Sequence, residues 1–189
     1  MAATNTSEPK LLLITLNGKF QPIVRGEQFE DPLSAALEAE NLGEVSGGGT
    51  AMAASGEIDY CNIEVDMTGD VERAITVAKS SLEASGAPKG SKLVIDDRSV
   101  PLGTVEGLAL YLNGRDLPDD VYKNCDINFA IAEIERVLGG HGALGGHWTG
   151  ATETALYFYG PSSEAMQAAM QSFVASYPLC SKSRLERFA

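Results

Sequence analysis

Three pairs of landmarks recur at one spacing in this chain, and that recurrence constrains the fold more than any other feature. Leu16-Asn17-Gly18 and Leu112-Asn113-Gly114 lie 96 positions apart; so do Leu42-Gly43 and Leu138-Gly139, and so do Glu57 and Glu153. A shared offset between segments of matching character points to a duplicated unit. Divided this way, the 189 residues form two halves, 1–98 and 99–189, each long enough for a small domain.

Both halves run strand, helix, strand, strand, helix, strand. In the first, Leu11 to Leu16 is a short apolar run broken by Asn17-Gly18. Phe20 to Val24 could pair back on it as a hairpin. Asp31-Pro32 reads as a helix start, an acid at the N-cap and a proline in the first turn, and Leu33, Ala36, Leu37 and Leu42 follow at helical spacing. From Glu57 to Met67 the apolar Cys61, Ile63, Val65 and Met67 alternate with Asn62, Glu64 and Asp66, the period of a half-buried strand. A helical stripe at Val71, Ala74, Ile75, Ala78 and Leu82 precedes a strand at Lys92 to Ile95. The second half repeats the order with Leu108 to Leu112, the stripe Ile127, Ala130, Ile131, Ile134 and Leu138, and the strand Glu153 to Tyr159. The stripe Met166, Ala169, Met170, Phe173, Val174 and Tyr177 then leads to a tail, Leu179 to Phe188, that can supply the last strand.

A βαββαβ unit buries one sheet face under two helices and leaves the other uncovered. Each half resembles the ferredoxin-like plan, and the chain resembles a tandem-duplicated ferredoxin-like protein. The fold class this implies is α+β: two ferredoxin-like repeats, antiparallel sheets with helices on one face. Many activities share that plan, so it implies no chemistry.

Charge narrows the partners. Acids outnumber bases 26 to 14, a net charge of −12, and the excess is stronger in the first half, with fifteen acids against seven bases up to Asp96. A field of that sign disfavours nucleic acid and anionic membrane and favours a basic protein. Met1 to Lys10 is polar and does not read as a secretory signal, and no apolar run approaches the length of a membrane span. Cys61, Cys125 and Cys180 are scattered without a Cys-x-x-Cys spacing, so they read as plain thiols and the expected location is the cytoplasm.

No catalytic set, cofactor motif or metal shell emerges. Gly140-His141-Gly142-Ala143-Leu144-Gly145 matches the letters of a dinucleotide fingerprint, but a helix precedes it and a strand follows, the reverse of what pyrophosphate binding needs. Gly47-Gly48-Gly49-Thr50 lacks a phosphate-loop lysine and reads as glycine-rich strand, with close approach of a ligand as the alternative. His141 and His147 are the two histidines; either could serve as a base, and nothing visibly pairs with them. Asp59 falls on the apolar side of its strand, which calls for a bulge near Tyr60 or for a carboxylate at the core edge. Trp148, Tyr157 and Tyr159 cluster as packing or interface aromatics.

The expected function is therefore a non-enzymatic acidic protein-binding protein, one that resembles small acidic immunity proteins in size and charge alone. The binding candidates are Gly48, Gly49, Thr50, Glu57, Asp59, His147, Trp148, Glu153, Tyr157 and Tyr159. A second copy of the chain is a further candidate partner. The alternatives are a small-molecule sensor with its site at the repeat junction, and an enzyme using His141 or His147.

Overall fold

The computed structural model describes residues 10–189; the polar opening segment read as no secretory signal lies outside them, apart from Lys10. By its contacts the chain divides into two units, Met1–Ala51 with Asp59–Gly103, and Met52–Ile58 with Thr104–Ala189. Arg98–Leu102 pairs antiparallel with Ser91–Ile95 and so stays with the first of these units.

In the first unit β1 (Lys10–Leu16) is followed by α1 (Pro22–Arg25), a π-helical turn (Gly26–Glu30) and α2 (Asp31–Ala39). Then come β2 (Gly43–Met52), β3 (Ile58–Met67), α3 (Val71–Ala84), β4 (Ser91–Ile95) and β5 (Arg98–Leu102). The strands lie in the order β2-β3-β1-β4-β5. The second unit runs β6 (Glu106–Asn113), α4 (Asp119–Asn124), α5 (Ile127–Leu138), β7 (Ala143–Thr149), β8 (Glu153–Gly160), α6 (Ser163–Ser176) and β9 (Arg184–Arg187), in the order β7-β8-β6-β9. The four common strands thus share one order, and the fold is α+β as the sequence pattern implies.

Alternation makes the strands two-sided. Leu12, Ile14 and Leu16 on β1 and Cys61, Ile63 and Val65 on β3 are fully buried, as are Ala74, Ala78 and Leu82 of α3. In the second unit Leu108, Leu110 and Leu112 pack with Leu156 and Phe158 against Ile134, Leu138, Met166 and Met170. Each such Leu or Ile contributes roughly 1.5–3 kcal/mol. The three longest helices start where side chains cap them: Asp70 accepts from Arg73 N, Asp126 from Asn128 N, and Ser162 from Ala165 N. Glu106, buried at the start of β6, accepts the Ser163 amide at 2.8 Å and hydroxyl at 2.7 Å, and so fixes α6 to the sheet.

Three sequence expectations need correction. No hairpin follows Asn17-Gly18, because Phe20 is buried and Pro22 opens α1. Asn17 instead bonds to the approach to β4, donating its amide to Ser91 Oγ and its Nδ2 to the Lys89 carbonyl, each at 2.9 Å. Asp31-Pro32 opens α2 with proline in its first turn, but Asp31 is not an N-cap, since Glu30 precedes it in helical conformation. The chain is already helical, and Asp31 N reaches back to Gly26 O across a π-helical turn. That wider turn lies just ahead of Pro32, whose missing N–H and ring disfavour a regular helix interior. Finally, Glu57 and Glu153 are not equivalent. Leu16 faces Cys61 whereas Leu112 faces Thr154, so an offset of 96 between β1 and β6 falls to 93 between β3 and β8. Glu153 therefore corresponds to Tyr60.

Candidate functional site

The non-helical face of the second sheet is filled from within its own unit. Alternation directs Ala109 and Tyr111 of β6 and Ala155 and Tyr157 of β8 to this side, where they form a cluster with Trp148, Tyr159 and Phe188. Register pairs large with small: Ala109 faces Tyr157, and Tyr111 faces Ala155. Phe188 meets the rings of Tyr157 and Tyr159 edge-on, with centroids 5.9 and 5.5 Å away. Its ring lies over Gly107, where a Cβ would come within 2.5 Å of it. Gly145 is constrained in the same way, since a Cβ there would sit 2.5 Å from the Tyr159 ring. Gly145 of β7 thus makes room for the Tyr159 ring.

Glu57 sits in Met52–Ile58, the segment that joins β2 to β3 and that belongs by its contacts to this unit. Its Oε1 accepts hydrogen bonds from both the Tyr111 and the Tyr157 hydroxyls, each at 2.7 Å. The Arg184 guanidinium stacks 3.7 Å over the Tyr111 ring and bonds Glu153 at 2.8 Å and Glu186 at 2.7 Å. Tyr157 is 1% exposed and Tyr111 6%, so neither is offered to a partner; this corrects the expectation of an uncovered aromatic face here. Burial, and next the bond to the Glu57 carboxylate, hold both phenols well above the ordinary tyrosine value of 10.0. Since each phenol keeps its proton more tightly in the folded state, the stability it contributes is intact below pH 10 and drains away as pH climbs above it. Phenolate absorbance should accordingly rise in two steps on alkaline titration. Tyr111 and Tyr157 ionise in the later step, together with loss of near-ultraviolet circular dichroism. A single early step covering every tyrosine would contradict this geometry.

The other sequence candidates are scattered. Gly48 is covered: a Cβ there would come within 2.7 Å of Glu30 Oε1 and 3.2 Å of Arg25 Nη2. Arg25, 8% exposed, bonds Glu30 at 2.5 Å and Thr50 Oγ1 at 2.8 Å, so Gly48 and Thr50 serve a buried ion pair. A Cβ on Gly49 would meet nothing within 4 Å. Asp59 is exposed, beyond Cys61, where the β1–β3 pairing ends, and is no core-edge carboxylate. His141 and His147 are both exposed, and among the described residues neither makes a side-chain hydrogen bond. Also among the described residues, no group of three or more His, Cys, Asp or Glu could hold a metal ion, and no helix is long and apolar enough to cross a membrane.

On the non-helical face of the first sheet Leu11, Tyr60, Glu64 and Lys92 are exposed, and Leu13, Thr15, Asn62 and Val94 are half-buried. Register places Asn62, Thr15 and Lys92 directly side by side across β3, β1 and β4, with Glu64, Leu13 and Val94 in the next row on that face. The residues Leu13, Thr15, Asn17, Tyr60, Asn62, Gly90 and Lys92 line a concavity of about 410 Å³. Sequence reasoning missed Tyr111, Arg184, Phe188 and this row. The signal for the row was available in the polar Thr15, Asn62 and Lys92, which stand at period two among apolar residues.

No protein-family model matches the chain, and no curated protein matches it. Solved structures to which it is similar include an unknown protein from Galdieria sulphuraria, at 14% identity over 96% of this chain and 98% of that one, TM-score 0.29. The regulatory subunit of aspartate kinase from Thermus flavus matches at 14% identity over 88% of this chain and 94% of that one, TM-score 0.30. A heme-binding protein from Thermus thermophilus matches at 12% identity over 95% and 89%, TM-score 0.31. Likenesses at these TM-scores carry no argument about function.

Proposed function

We propose that the protein is a non-catalytic binding protein whose contact surface is the non-helical sheet face of its first unit and whose partner is a basic protein. The observation that carries this reading is the contrast between the two faces. The second is packed with Tyr111, Tyr157 and Phe188, whereas the first leaves Leu11 51% exposed opposite Asp66 and Tyr60 38% exposed at the other end of β3, with the exposed Glu64 between them. An exposed tyrosine on a face that also carries acidic side chains is a suitable anchor for a cationic surface. A net charge of −12 adds long-range attraction, which acts mainly on the association rate.

The test is capture from an extract of the native source on immobilised protein, with a Glu64→Lys/Asp66→Lys variant and a Tyr60→Ala variant alongside. A basic protein retained at low salt should bind about tenfold or more weakly at high salt, where the Debye length falls toward ~3 Å. It should be lost from the charge-reversed variant and weakened by Tyr60→Ala. Retention of the same proteins by wild type and the charge-reversed variant would refute the assignment.

A further inference from the structure

We infer that the free edge of β2 pairs antiparallel with the β2 of a second copy of this chain, joining two first sheets edge to edge. The inference concerns the edge of that sheet rather than its face, and it is independent of the basic partner proposed above.

An edge strand carries a row of backbone N–H and C=O groups with no partner in its sheet, and folds blunt such edges with proline, charge, short length or a bulge. The edge strands here are β2 and β5 in the first sheet and β7 and β9 in the second. Three of them are blunted. β5 has five residues, Arg98 and Pro101 among them. β9 has four, of which Arg184, Glu186 and Arg187 are charged. A register shift interrupts β7 between Leu144 and Gly146. β2 differs on each count that its residues decide: it has ten of them, no proline, no lysine or arginine, and one charge, Glu44. Within the sheet it pairs with β3 alone, and none of its ten residues is buried. Gly47, Gly48 and Gly49 do not have the positive φ of a glycine bulge, so they do not turn the edge aside.

The order of residues in β2 says which partner fits. Residues that face each other in an antiparallel ladder are both of the hydrogen-bonded or both of the non-bonded kind. A strand paired with its own copy therefore has one residue on the two-fold axis. With Gly48 on the axis, residues 44–52 pair in full. Ser46 then faces Thr50 of the second copy, Val45 faces Ala51, and Gly47 faces Gly49. Hydroxyl meets hydroxyl, aliphatic meets aliphatic, and Glu44 falls opposite Met52 instead of its own copy, so no like charges are set directly across the ladder. Such a ladder is about 30 Å long. It is a small contact by the standard of stable complexes, and the dimer is one that dissociates on dilution.

Sedimentation velocity on the full chain across a dilution series should show a monomer–dimer equilibrium. Each copy carries a net charge of −12, so added salt should tighten the dimer. That is the reverse of the response expected for the basic partner, which keeps the failure of either reading distinguishable. Ser46→Glu/Gly49→Glu should weaken the dimer about tenfold or more, since each copy then brings two further like charges to the junction. Ser46 is exposed and a Cβ on Gly49 would meet nothing within 4 Å, so the variant should keep the circular dichroism of the wild type. Ser99→Glu on β5 should leave the dimer unchanged. Cysteine pairs test the register, in a Cys125→Ser background. Val45→Cys chains mixed with Ala51→Cys chains should join through a disulfide in oxidised glutathione. Neither should join readily to itself, because the two copies of position 45 are about 20 Å apart along the ladder. A chain that sediments as a monomer throughout, a dimer loosened by salt, a dimer that survives Ser46→Glu/Gly49→Glu, or one that gives no mixed disulfide would each overturn the proposal.

Discussion

Glu57→Leu is expected to destabilise the second unit by about 2–3 kcal/mol, measured by denaturant unfolding. One carboxylate oxygen receives the hydroxyls of Tyr111 and Tyr157, both buried tyrosines. Removing it strands two donors at once, and each abandoned donor costs about 1–3 kcal/mol; the partial exposure of Glu57 lets water recover some of the loss. The mechanism is tested by context. In a Tyr111→Phe/Tyr157→Phe background no hydroxyl remains to be stranded, so the same substitution should cost less than about 1 kcal/mol, and the difference is the coupling energy. An equal cost in both backgrounds would mean that Glu57 stabilises the unit by some route other than these bonds.

Arg25→Met should cost the first unit about 3 kcal/mol, since breaking a buried pair leaves an uncompensated charge behind. Arg25 is the buried member; it holds Glu30 at 2.5 Å and Thr50 at 2.8 Å above the bare backbone of Gly48. The loss is best read from hydrogen exchange of the β2 and β3 amides, which reports on the first unit directly, rather than from a single global midpoint. Arg25→Met/Glu30→Leu should recover most of the loss, as an apolar replacement of similar volume often equals a buried pair. If the double variant is no better than the single one, the packing of the arginine stem, and not the charge left on Glu30, is what the fold requires.

Both predictions concern residues whose importance the chain order conceals. Glu57 drew attention through an apparent partner at Glu153, and the strand register removes that equivalence. What makes Glu57 central is its meeting with Tyr111 and Tyr157, 54 and 100 residues away. Arg25 stood just past a stretch, Phe20 to Val24, that could be read as a hairpin strand, with no hint of the glutamate and threonine that would receive it. The glycine-rich stretch Gly47 to Thr50 was legible as strand, and it lies within β2. The reason for glycine at Gly48 and Gly145 was not, because the groups that exclude a side chain come from Glu30, Arg25 and Tyr159.

The amino-acid order by itself determined the elements and their alternation. Periods of two and of about 3.6 are local, as are the caps at Asp70, Asp126 and Ser162, so the α+β class and the repeated strand order could be read directly. Only the tertiary structure decided which of two similar sheets has its second face filled. Alternation delivers Tyr60 and Asn62 to one such face and Tyr111 and Tyr157 to the other with no mark to tell them apart. The second is covered because Glu57 and Phe188 come to it from distant parts of the chain, and contacts of that range depend on how the backbone closes rather than on any local pattern.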